Sequence, residues 1–152
     1  MAGLNHDFLV IESGTFSLDN YEEYQKADHV EIHDDLLGYF ADTISWVSSY
    51  NPCTEEEVSG LCWYGPTVIP PGNVEKFGSI ITGWLLILSE APDIVALKGG
   101  WCWIEGQTSE SGCYEKLSFS KNELVNKLSK LVSYCEAVKE SGGKKCLLHI
   151  GI

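Results

Sequence analysis

The sequence predicts an α+β fold: a single domain with a mostly antiparallel sheet of about five or six strands packed against about three helices. Three observations carry this expectation. At 152 residues the chain is near the commonest domain size, large enough for one core and too short for two ordinary ones. Apolar residues recur at helical spacing in some stretches and form short strand-like runs in others. Their order is strand, helix, strand, helix, three strands, helix, strand, which fits helices laid on a meandering sheet.

Taken in order, Phe8-Leu-Val-Ile11 predicts a short buried strand, and Glu12 to Asp28 a polar surface loop or short helix. His33-Asp34-Asp35 signals a helix start, because first-turn carboxylates favour the helix dipole. Leu36, Leu37, Phe40, Ile44 and Val47 extend that helix from about Asp34 to Ser49, where Asn51-Pro52 stops it. Val58 to Tyr64 alternates like a strand and closes at Gly65-Pro66, and Pro70-Pro71-Gly72 makes a firm turn. With Asn73 as N-cap, Val74, Phe77, Ile80, Ile81, Trp84, Leu85 and Leu88 predict a largely buried helix that ends before Pro92.

Ile94 to Leu97, Trp101 to Ile104 and Tyr114 to Phe119 predict three consecutive strands, the first two joined by Gly99-Gly100. Ser120 and Glu123 form a capping box, after which Leu124, Leu128, Leu131, Val132, Cys135 and Val138 trace one stripe until Gly142-Gly143. Cys146 to Ile150 closes the chain as an interior strand.

Charge is distributed unevenly. Residues 1–75 hold fourteen Asp/Glu and one Lys, while residues 76–152 hold eight Asp/Glu and nine Lys. A surplus confined to one half predicts a face of one sign that attracts cationic partners and repels nucleic acid and anionic membranes. All ten basic residues are Lys, so the bidentate fork that grips phosphate is missing. Residues 1–14 contain no Lys or Arg, and the longest apolar run, Trp84 to Leu88, is far below the roughly 18 residues of a membrane span. The expectation is a soluble, cytoplasmic protein.

Six Cys at positions 53, 62, 102, 113, 135 and 146 have no tight spacing, so free thiols are expected rather than a disulfide framework or a metal site. Cys102, Cys135 and Cys146 are expected as small buried hydrophobes, and the Cys- and Trp-rich second half is assigned to the core.

Catalytic motifs are missing. No Gly-x-Ser-x-Gly, cysteine-protease signature, His-Glu-x-x-His or phosphate-binding Gly loop occurs, so no catalytic residue, cofactor or metal ligand is assigned. His29 and His33 have a spacing that can hold a metal on a helix, but in an extended segment they share the wet face with Glu31 while Val30 and Ile32 take the dry one. A rival reading is a small metal- or His-dependent hydrolase using His29, His33 or His149 with a nearby acid. A third is a structural subunit of a larger complex.

Asp19, Glu22, Glu23, Asp28, Glu31, Asp34 and Asp35, interleaved with Tyr21 and Tyr24, suit a protein interface, in which aromatic anchors sit within a charged rim. With Glu55-Glu56-Glu57 they are the predicted binding face for a basic protein.

The segments Ile87-Leu-Ser-Glu-Ala-Pro92, Leu97-Lys-Gly-Gly-Trp-Cys-Trp103, Tyr114-Glu-Lys-Leu117 and Leu148-His-Ile-Gly-Ile152 give residues 75–152 a general resemblance to bacterial immunity proteins of contact-dependent growth inhibition and polymorphic toxin systems. That resemblance implies a cytoplasmic, non-catalytic inhibitor. Its partner would be the C-terminal domain of one cognate toxin, a basic domain such as a nuclease, bound by a monomer in a 1:1 complex that covers the active site or substrate surface.

Overall fold

The strand Lys145–Ile150 (β8) organises the fold, because it lies in the middle of the sheet with five of its six residues buried. The computed structural model describes residues 4–152, so the first three residues of the Lys- and Arg-free stretch 1–14 lie outside it. Strand β8 pairs with Asn5–Glu12 (β1) on one side and Pro66–Ile69 (β5) on the other. Val30–His33 (β2) flanks β1, and Ser48–Tyr50 (β3) and Glu57–Ser59 (β4) continue beyond β5. The six-stranded order is β2-β1-β8-β5-β3-β4, with every pair antiparallel.

Strand alternation divides the side chains between two faces. Phe8, Ile69 and Leu147 point to the main core, while Leu9, Val68, Cys146, Leu148 and Ile150 form a smaller cluster on the reverse face. Two long helices cover the first face, Pro71–Ser89 (α4) and Lys121–Glu140 (α5). They bury Val74, Phe77, Ile81, Trp84 and Leu88 from α4 and Leu124, Leu128, Leu131, Cys135 and Val138 from α5, each large apolar side chain contributing roughly 1.5–3 kcal/mol. The Ser120 hydroxyl accepts the Glu123 amide at 3.5 Å to cap α5, and beyond its end Gly142 and Gly143 adopt φ of 65° and 88°.

The reverse face is covered differently. Tyr21–Lys26 (α1) lays Tyr24 on it, where the ring stacks at 5.9 Å on Phe16 and the hydroxyl accepts the Ser17 amide. The acidic segment from Glu12 to Asp28 is therefore tied to the sheet by aromatic residues among its charges.

Several expectations are corrected. The predicted helix from Asp34 to Ser49 is two short helices, Asp34–Tyr39 (α2) and Ala41–Ile44 (α3), followed by strand β3. Between them Phe40 leaves helical geometry (φ −104°, ψ 13°) and stacks on Trp84 with ring centroids 4.5 Å apart, while Ser48–Tyr50 finds partners in β4 and β5. The predicted strand from Val58 to Tyr64 shortens to β4, and Thr67, Val68 and Ile69 supply the strand beside β8 instead. Pro70, not Asn73, occupies the N-cap of α4; the Asn73 amide donates to the Ser48 carbonyl at 2.7 Å.

Gly99-Gly100 does not join two strands. It is a bulge inside one strand, Ile94–Cys102 (β6), which pairs with Cys113–Ser120 (β7) in a hairpin separate from the main sheet. Close packing accounts for Gly99, since a Cβ there would lie 3.0 Å from the Glu115 Cβ and 3.1 Å from Leu117 Cδ2. Val95 and Leu117 anchor the hairpin in the core, but Trp101, Trp103, Ile104 and Tyr114 are exposed and Cys102 is half-buried. The second half is thus core only in its helices, in β8 and at the base of the hairpin. Among the described residues, no helix is long and apolar enough to cross a membrane.

Candidate functional site

Four polar side chains from separate parts of the chain form one connected row. His149 on β8 lies directly opposite Thr67 on β5 and Phe8 on β1, which puts His6, one alternation along β1, on the same face. His6 Nδ1 lies 2.8 Å from His149 Nε2, and His149 Nδ1 lies 3.2 Å from Thr67 Oγ1. At the other end His6 Nε2 is 3.0 Å from Asp34 Oδ1, to which Trp63 Nε1 also donates at 2.6 Å. His6, His149 and Thr67 have no solvent exposure, and only Asp34 is partly open, its side chain 25% exposed.

Burial, reinforced by the neighbouring His6, holds His149 well below the ordinary histidine pKa and therefore neutral. His6 Nε2 donates to the Asp34 carboxylate, one proton bridges His6 Nδ1 and His149 Nε2, and His149 Nδ1 pairs with the Thr67 hydroxyl. The Cys62 amide donates to Thr67 Oγ1 at 2.7 Å, so every buried group is satisfied. Such a row fixes Asp34 in place and allows a proton to be held or passed at its carboxylate.

Asp34 opens onto a cavity of about 500 Å³ between α2 and the β6–β7 hairpin, lined also by Asp35, Tyr39, Lys98 and Glu115. Lys98 Nζ sits 4.4 Å from the centre of the Tyr114 ring, a cation–π contact that holds it on the hairpin.

The predicted binding residues divide between several places. Asp19, Tyr21, Glu22 and Glu23 are exposed on and just before α1, whereas Tyr24 is 92% buried and serves the reverse-face core, so it is removed from the interface. Asp28 pairs with Lys130 Nζ at 2.6 Å and accepts the Tyr134 hydroxyl at 2.8 Å, which lowers its pKa. Glu31 is exposed on edge strand β2, and Asp34 and Asp35 line the large cavity. Glu57 lies on β4 at the opposite sheet edge, about 24 Å from β2 at five strand spacings, while Glu56 is exposed just before it. Glu55, held at a positive φ of 60°, meets Gly14 and Phe16 at a reverse-face cavity of about 240 Å³. Segments 12–16 and 52–55 are thereby brought together, but the acids do not form one continuous face.

The three histidines of the hydrolase reading are also separated. His33 Nδ1 accepts the Asp35 amide as the cap of α2, His149 is sealed in the core, and His29 is half-buried just before β2. His6 was not singled out in the sequence. Its only signal is alternation with Phe8, which marks it as inward-facing without naming its partners.

No protein-family model matches the chain, and no curated protein or solved structure is measurably similar to it.

Proposed function

We propose that the protein is an acidic inhibitor that binds and neutralises one basic protein domain, in the manner of an immunity protein of a contact-dependent growth inhibition or polymorphic toxin system. The observation that supports this reading is uncompensated surface charge. Of the fourteen carboxylates in residues 1–75, only Asp28 and Glu75 have a lysine partner within ion-pair distance among the described residues. Opposite charge speeds encounter, and carboxylates occupy positions where a nuclease binds phosphate. Exposed Tyr21, Tyr39, Trp46 and Tyr64 supply aromatic anchors within the acidic half, and Trp101, Trp103 and Tyr114 add further exposed rings on the hairpin. The protein works as a cytoplasmic monomer in a 1:1 complex with the C-terminal domain of its toxin.

The test is affinity capture from the native cells, followed by measurement of the isolated complex against salt. Nanomolar binding that weakens with rising salt, and weakens at least tenfold on combined Glu22→Lys, Glu23→Lys and Glu55→Lys substitution, is the expected result. Unchanged affinity in the triple variant would sink this reading.

A second reading is favoured by one observation, the Asp34 carboxylate held by His6 and Trp63 at the floor of a cavity of about 500 Å³. A hydrolase would use Asp34 as its acid or base. Turnover of any substrate, lost in Asp34→Asn with the fold retained, would favour it over inhibition by binding.

A further inference from the structure

Asp7 and Glu31 are direct partners in the antiparallel β1–β2 register, with their carboxylates on the face away from the main core. Like charges directly opposite one another on a ladder repel. His29 lies two residues before Glu31, on the same face, and brings Nε2 to 3.3 Å from Glu31 Oε1 and 3.8 Å from Asp7 Oδ1. One ligand atom from each of the three lies within 4.8 Å of the others.

We infer that Asp7, His29 and Glu31 form a binding site for a divalent transition ion, Zn²⁺ or Co²⁺. The separations fit: bonds of about 2.0–2.1 Å to a tetrahedral ion place neighbouring ligand atoms about 3.4 Å apart, and the two measured distances bracket that value. The His29 ring is set by a contact outside the cluster, with Nδ1 2.8 Å from the Ala27 carbonyl. In the neutral ring this leaves Nδ1–H donating to the backbone and the Nε2 lone pair aimed between the carboxylates, the second-sphere arrangement that metal-bound histidines use. Asn5 Nδ2 donates to Glu31 Oε2 at 3.4 Å and steadies the other oxygen.

The donor set selects the metal. One imidazole nitrogen with two carboxylates suits zinc or cobalt, whereas calcium and magnesium take oxygen ligands and copper(I) takes thiolates. Lys127 and Lys130 line the adjoining cleft, but Lys130 is held by Asp28 at 2.6 Å and Lys127 pairs with Glu123 at 3.2 Å. Solvent-facing coordination positions remain for water. The site stands independently of the proposed binding function.

The experiment uses the full chain, treated with chelator and titrated with Zn²⁺ alone at neutral pH by calorimetry, with Co²⁺ absorption as a second readout. One ion per chain is expected, with the histidine ring resonances of His29 shifting on addition. His29→Ala and Asp7→Asn should each weaken binding about tenfold or more, while His33→Ala and the double variant Cys102→Ser, Cys113→Ser leave it unchanged. The His29 side chain is partly buried, so a melting curve checks that each variant keeps the fold. No binding at millimolar Zn²⁺, or binding lost only in the cysteine variant, would overturn the inference.

Discussion

His6 and His149 meet nitrogen to nitrogen at 2.8 Å although 143 residues separate them along the chain. Both are fully buried, both belong to the core face of the sheet, and their hydrogen bonds run on to Asp34 and Thr67. Buried imidazoles are tolerated here because each nitrogen has a partner.

That contact makes stability depend on acid. His149 stays neutral in the folded protein because burial depresses its pKa well below 6.5, whereas in the unfolded chain it titrates near that value. Above the unfolded pKa neither state takes up the proton. As pH falls below about 6.5 the unfolded state gains it first, and stability drops by up to roughly 1.4 kcal/mol per pH unit for this one group until the folded pKa is reached. Urea unfolding from pH 8 to pH 5 should show this decline, and His149→Gln should flatten it while lowering stability throughout. A wild-type profile without a decline below pH 6.5 would contradict the assignment.

Trp63→Phe removes the indole donor that reaches Asp34 Oδ1 at 2.6 Å. Hydrogen bonds to charged acceptors are worth about 1.5–3 kcal/mol, and the smaller phenyl ring also gives up part of the indole's packing against the core, so a loss of at least that size is expected from denaturant midpoints. A loss below about 0.5 kcal/mol would show that Asp34 is held by His6 without the indole.

Gly112→Ala should disorder the outer hairpin without unfolding the domain. A Cβ there would stand 2.2 Å from the Cys102 carbonyl oxygen, a backbone atom that cannot swing aside, and 3.0 Å from the Trp101 ring. The Trp101 indole, which donates to the Ser109 carbonyl at 2.7 Å, reports the change directly in its NMR resonance. Resonances of Leu128 and Leu147 in the main core should remain in place.

Leu128→Ala should cost about 2–5 kcal/mol, since the side chain is fully buried where α5 meets the core. Leu86, on the outward face of α4 and 66% exposed, should tolerate Ala within about 0.5 kcal/mol. Thermal melts of the two variants separate core leucines from surface ones.

The α+β class, the two long helices and the closing interior strand are legible along the chain, because these rest on local signals. Helical spacing from Val74 to Leu88, the Ser120 cap, the stop at Gly142-Gly143 and the apolar run Cys146 to Ile150 each have their cause within a few residues. The short strands and the polar sites depend instead on long-range pairing. Ser48–Tyr50 and Pro66–Ile69 become strands because they pair across the sheet, and Phe40 breaks a helix to stack on Trp84. Gly99-Gly100 read as a turn, but with β7 alongside it became a bulge. The His6–His149–Asp34 row and the Asp7–His29–Glu31 cluster join residues far apart in sequence through strand register, which a pattern along one chain does not encode. The acidic bias of the first half was plain from composition, but the tertiary structure set its division between the two sheet edges and the reverse face, because sheet order rather than sequence order places each carboxylate.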